Sequence, residues 1–232
     1  MRWWWMWWAL LAVGCANAAT GAAFAVPDTM AQRTLACTVC HGKEGRATQA
    51  GYFPRIAGKP AGYLYSQLLN FRDGRRYHKL MSPLLVNLSD VYLREIADYF
   101  AAQDLPYPPP QAASLPAAAR ERGETLMRHG DRARNIAACT TCHGLAMTGA
   151  EPGIPGLLGL PRDYLNAQLG AWRTGQRKAT SPDCMHDIAQ RLDLADVSAL
   201  SDWLASQPVP VPAKALVASA SPLPVACGKL PP

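Results

Sequence analysis

Residues 37–42 read Cys-Thr-Val-Cys-His-Gly, and residues 139–144 read Cys-Thr-Thr-Cys-His-Gly. The match continues downstream at a constant offset of 101 residues: Pro54 with Pro155, Gly58 with Gly159, Tyr63-Leu64 with Tyr164-Leu165, Gln67-Leu68 with Gln168-Leu169, Phe71-Arg72 with Trp172-Arg173, and Gly74 with Gly175. Met81 then pairs with Met185, and Asp98-Tyr99-Phe100 with Asp202-Trp203-Leu204, at an offset of 104. A chain that writes one pattern twice folds as two units of similar build. The small shifts in offset belong in loops.

The segment between the copies, LPYPPPQAASLPA, is too rich in proline for helix and reads as a semi-rigid linker over 105–117. The expected organisation is a first domain over 28–104, a second over 118–207, and a Pro/Ala-rich tail over 208–232. Both domains read as helical. Residues 90–103 set Tyr92, Ile96, Tyr99 and Phe100 on one face after the N-cap candidate Ser89, and residues 196–206 do the same with Val197, Leu200, Trp203 and Leu204. Helices are also expected over 63–73, 164–174, 120–129 and 29–40, with Gly74 and Gly175 at C-cap positions. No run alternates β-branched residues, so the fold class is all-α.

Cys-x-x-Cys-His is the attachment signature of c-type haem. Two thiols at that spacing reach two vinyl-derived carbons on one porphyrin edge, and the next residue then lies under the iron. Cys37, Cys40, Cys139 and Cys142 are therefore the expected covalent attachment points of two haem c groups, with His41 and His143 as iron ligands. A redox dithiol would start a helix after a strand, and none is expected here. A zinc site built on four sulfurs would leave the adjacent histidines and downstream methionines without a role. Met81 and Met185 lie 40 and 42 residues beyond their histidines, just before each last helix. Thioether sulfur favours ferrous iron, and the repeated position makes both the expected distal ligands. His78, His186, His129, Met30, Met127 and Met147 lack partners in the repeat and are expected to be surface residues rather than ligands. Arg72 and Arg173 recur and are expected to neutralise haem propionates.

The first eighteen residues give the expected compartment. Met1-Arg2, the apolar run WWWMWWALLAV and Ala16-Asn17-Ala18 form a secretory signal pattern with cleavage after Ala18. An uncleaved anchor, or lipidation at Cys15, are the alternatives. An exported chain can hold disulfides, and two cysteines outside the haem motifs, Cys184 and Cys227, are expected to pair and pin the tail beside Met185. The net charge of +6 does not by itself choose between nucleic acid, membrane and protein partners. The surplus is uneven. Residues 30–104 hold ten Lys/Arg against six Asp/Glu, and residues 117–207 hold ten of each, so the first domain is expected to meet the more acidic partner.

With both haem motifs, the Pro54…Gly58…Tyr63-Leu64…Gln67-Leu68…Phe71-Arg72…Gly74 string, its second copy, and Met81 and Met185, the chain resembles the diheme class I cytochromes c of the cytochrome c4 type over about residues 30 to 207. The tail with Cys227 extends beyond the usual end of that family. The resemblance implies two tandem cytochrome c domains facing each other and a periplasmic electron carrier. It implies protein partners, a quinol–cytochrome c reductase and a terminal oxidase, with no nucleic acid and no small-molecule substrate. Similar cytochromes accept electrons from periplasmic dehydrogenases, which is the alternative. A diheme peroxidase would need an open or displaceable sixth position on one haem.

Overall fold

The computed structural model describes residues 26–48, 52–217 and 223–229. The signal-peptide expectation, Cys15 included, lies outside the described residues. Among those described, ten α-helices account for almost all regular structure, and the sheet is one pair of two-residue strands. No described helix is long and apolar enough to cross a membrane.

The first half holds α1 (Met30–Arg33), α2 (Leu35–His41), α3 (Ala61–Arg72), α4 (Met81–Leu85) and α5 (Asp90–Ala101). Helix α3 packs on α5, burying Leu64, Tyr65, Leu69, Leu93, Ile96 and Phe100 together. Ser89 caps α5, its hydroxyl accepting from the Tyr92 N–H at 3.3 Å. The single helix expected over 29–40 is broken at Thr34. That residue is fully buried, and its hydroxyl donates to the Met30 carbonyl at 2.7 Å. A back-bonded threonine of this kind competes with the ladder and turns the chain, which re-aims α2 and the haem motif that it carries.

The second half holds α6 (Ala117–His129), α7 (Cys139–His143), strands β1 (Gly149–Ala150) and β2 (Ile154–Pro155), α8 (Arg162–Arg173), α9 (Cys184–Arg191) and α10 (Leu194–Ser206). Strands β1 and β2 pair antiparallel. Helix α10 crosses α6 closely because Gly123 has no side chain. A Cβ there would stand 2.4 Å from the Ala199 carbonyl oxygen. Met127 and Met147, expected at the surface, are core residues with Leu126, Leu158, Leu200 and Leu204. A long apolar thioether fills irregular gaps beside such a close crossing.

Residues 103–114 form no helix, but both halves hold this connection down. Arg55 donates to the Leu105 and Pro106 carbonyls and stacks on the Tyr107 ring at 3.9 Å. The Ser114 hydroxyl donates to the buried Asp202 carboxylate at 2.8 Å. The tail is anchored too. Leu216 bonds backbone to backbone with Gly149 and Glu151, and Cys227 is disulfide-bonded to Cys184, as expected.

Candidate haem-binding sites

Each Cys-x-x-Cys-His segment is a short helix ending at its histidine, and a glycine follows in a conformation that side chains rarely adopt, Gly42 at φ 74° and Gly144 at φ 80°. This ending turns the chain back, so each histidine meets the proline of the same repeat. His41 Nδ1 lies 2.9 Å from the Pro54 carbonyl oxygen, and His143 Nδ1 lies 2.8 Å from that of Pro155. A carbonyl only accepts, so in both rings Nδ1 carries the hydrogen and Nε2 presents its lone pair. Both rings are buried, and burial lowers both pKa values. Neutral imidazole with a fixed tautomer is what iron ligation needs.

The four motif cysteines are half-buried and make no disulfide. Burial pushes the Cys139 thiol up to about 11 and raises Cys37 and Cys142 as well. A redox dithiol or thiolate metal site shows the opposite shift. Met81 opens α4 and packs against the first core. Met185 is the second residue of α9, next to the bridged Cys184. Both methionines are half-buried. His78 and His186 are half-buried, not fully at the surface. His186 Nδ1 is held by the Trp172 carbonyl at 3.0 Å.

Between the halves lies a group that the sequence reading missed. Arg76 and Arg177, again 101 apart, pair through their backbones and are nearly buried. Arg76 donates to Gln67 of its own half at 2.9 Å and to Tyr164 and Gln168 of the other at 3.2 and 2.6 Å. Arg177 mirrors it, donating to Gln168 at 2.9 Å and to Tyr63 and Gln67 at 3.5 and 3.0 Å. Each guanidinium stacks on the aromatic of its own repeat, Arg76 over Phe71 at 4.4 Å and Arg177 over Trp172 at 3.7 Å. The interface is therefore a pseudo-twofold one. Its Tyr, Gln and aromatic members were visible as repeat partners, but their role was not.

Two further cations are buried nearby, Arg55 and Lys59. The Lys59 ammonium donates to the Gly156 carbonyl at 2.8 Å, across the interface, and burial followed by the Arg55 charge pushes it down to about 7. None of these four cations makes an ion pair among the described residues. The buried indole N–H of Trp172 also has no partner there. Buried charge without an opposite charge costs several kcal/mol per ion, so an anion placed here would be favoured. Two haems bring four carboxylates, and the residues present fit them. Arg72 and Arg173, expected to neutralise propionates, have local partners. Arg72 is paired with Asp73 and Asp90, and Arg173 with the Leu192 carbonyl, because the helix ends turn both toward local acceptors.

No protein-family model matches the chain. It is 35% identical over 201 residues to a thiosulfate dehydrogenase electron acceptor of Thiomonas intermedia strain K12, covering 86% of this chain and 91% of the relative. It is 35% identical over 189 residues to a cytochrome c4 of Pseudomonas aeruginosa, covering 80% and 91%. Reduced recombinant cytochrome c4 from Pseudomonas stutzeri superposes with a TM-score of 0.67 at 30% identity, covering 76% of this chain and 96% of that one. Fold, paired haem motifs and mirrored histidine geometry define a tandem class I cytochrome c, an electron carrier with two covalently bound haem c groups and protein redox partners. The chain belongs to the cytochrome c4 family.

Proposed function

We propose that Cys37 and Cys40 bind one haem and Cys139 and Cys142 the other, with His41 and Met81, and His143 and Met185, as the axial pairs. The observation that carries this reading is the matched pair of proline-anchored histidines, each with Nε2 free. A haem held in this way would supply one-electron chemistry, and these side chains would keep both axial positions of the iron filled. The protein holds each ring in one tautomer, excludes water from it, and supplies buried cations for the carboxylates. The domains take the bounds 28–104 and 118–207, the linker 105–117 and the tail 208–232, in a chain exported to the periplasm after cleavage at Ala18. Donor and acceptor are respiratory-chain partners, a quinol–cytochrome c reductase and a terminal oxidase.

A second reading makes the carrier the electron acceptor of a periplasmic dehydrogenase. It is favoured by the naming of a relative aligned over 86% of this chain as a thiosulfate dehydrogenase electron acceptor. Haem content and the red-end methionine–iron absorption band test the site. Two haems per chain are expected. Met81→Ala and Met185→Ala should each remove half of the band, and an unchanged band in either variant overturns that ligand. Reduction of the purified carrier by a thiosulfate dehydrogenase, against reduction by a quinol–cytochrome c reductase, separates the two partner readings.

A further inference from the structure

The two haem sites are built alike but are not equal, and one inequality is Lys59. The mirrored elements are the histidine–proline contacts, the Arg76 and Arg177 stacks, and the Gln and Tyr acceptors. At the position 101 residues after Lys59 stands Leu160, an apolar core residue. The ammonium therefore has no counterpart in the second copy. It is carried by the first domain but spends its hydrogen bond in the second, on the Gly156 carbonyl. Gly156 follows Pro155, whose own carbonyl orients His143. That turn passes close to another backbone segment, since a Cβ on Gly156 would stand 2.5 Å from the Thr148 carbonyl oxygen. Arg55, the other buried cation confined to the first copy, directs its guanidinium to the linker carbonyls Leu105 and Pro106 instead.

We infer that Lys59 is a positioning residue acting across the domain interface, which holds the second haem's proximal turn and places a buried positive charge beside that haem alone. A positive charge in a low-dielectric site favours the ferrous over the ferric state, because the ferric iron carries one more positive charge. Lys59 thus raises the reduction potential of the haem bound by His143 and biases an electron in the molecule toward the second domain.

The inference rests on the axial assignment proposed above. Haem content and the red-end band must therefore be intact in every variant compared, which separates failure of that assignment from failure of this one. The test is a potentiometric titration of the holoprotein at pH 6, following each haem by its own paramagnetically shifted methyl signals. Lys59→Met, nearly isosteric and neutral, should shift the oxidised-to-reduced ratio of the second haem about tenfold toward oxidised at fixed potential, or ~59 mV for one electron. The first haem should move far less, and Lys59→Arg should restore the wild-type value. Lys59→Gln keeps a donor to Gly156 without the charge and should behave as Lys59→Met does, which covers the case where Lys59→Met does not mature. No shift, an equal shift of both haems, or a shift confined to the first haem overturns the inference.

Discussion

Asp131 and Asp196 show how single side chains brace the second haem domain. Arg122 and Arg134 each reach both carboxylates, with contacts of 2.7–3.0 Å. Hydrogen bonds from those guanidiniums hold Asp131 down at about 2. Asp196 is lowered as well, against a burial effect that alone would raise it. A carboxylate whose folded pKa lies below its unfolded value of about 3.9 stabilises the fold above that value and loses the contribution as pH falls through the folded one. Asp131→Asn should therefore lower resistance to denaturant at pH 6, and the difference from wild type should shrink toward zero near pH 2. Unfolding curves at both pH values, followed by the absorption of the second haem, check this. A constant difference across that range would mean that packing, not charge, is responsible. The haem-motif residues were legible because covalent chemistry fixes their spacing. The arginine partners were not, because residues 122 and 196 meet only once α6 and α10 have packed.

Helix-forming segments were legible for the same reason that they are stable: amphipathic spacing, a capping serine at 89 and glycines at 74 and 175. The breaks between elements were less so. Thr34 sits in a sequence that reads as continuous helix, and only its complete burial makes the bond to the Met30 carbonyl outcompete the next turn. The crossing of α6 and α10 was invisible for a related reason. Gly123 looks like a poor helix residue, yet its missing side chain is what lets the Ala199 backbone and the Trp203 Cβ approach. Gly123→Val should drive these helices apart and cost about 1–3 kcal/mol or more. Thermal unfolding monitored separately at the two haems should show the second domain weakened and the first unchanged. A loss shared by both domains would mean that they unfold as one unit, and no loss would mean that the crossing relaxes without penalty.

At the scale of the whole molecule, the charge surplus read from the sequence changes its meaning. Three of the ten first-domain cations, Arg55, Lys59 and Arg76, are buried, which leaves seven facing six acidic residues. The expected steering of an acidic partner by that domain has almost no surface charge to act through. The surplus is held inside, between the halves, where Arg76 and Arg177 reach across to Tyr164 and Gln168, and to Tyr63 and Gln67. On the haem sites proposed above, joining the domains and neutralising the haem carboxylates would be one task for the same cations. Arg76→Glu should undo both, since it removes donors to three acceptors and buries a carboxylate in their place. Small-angle scattering of the holoprotein should show a larger radius of gyration than wild type, with both red-end bands retained and faster proteolysis within 105–117. Arg75→Glu, a reversal next door on a side chain engaged by Asp73 and Asn70 of its own half, should leave the radius unchanged. An unchanged radius for Arg76→Glu as well would mean that the linker contacts made by Arg55 and Asp202 suffice to hold the halves together.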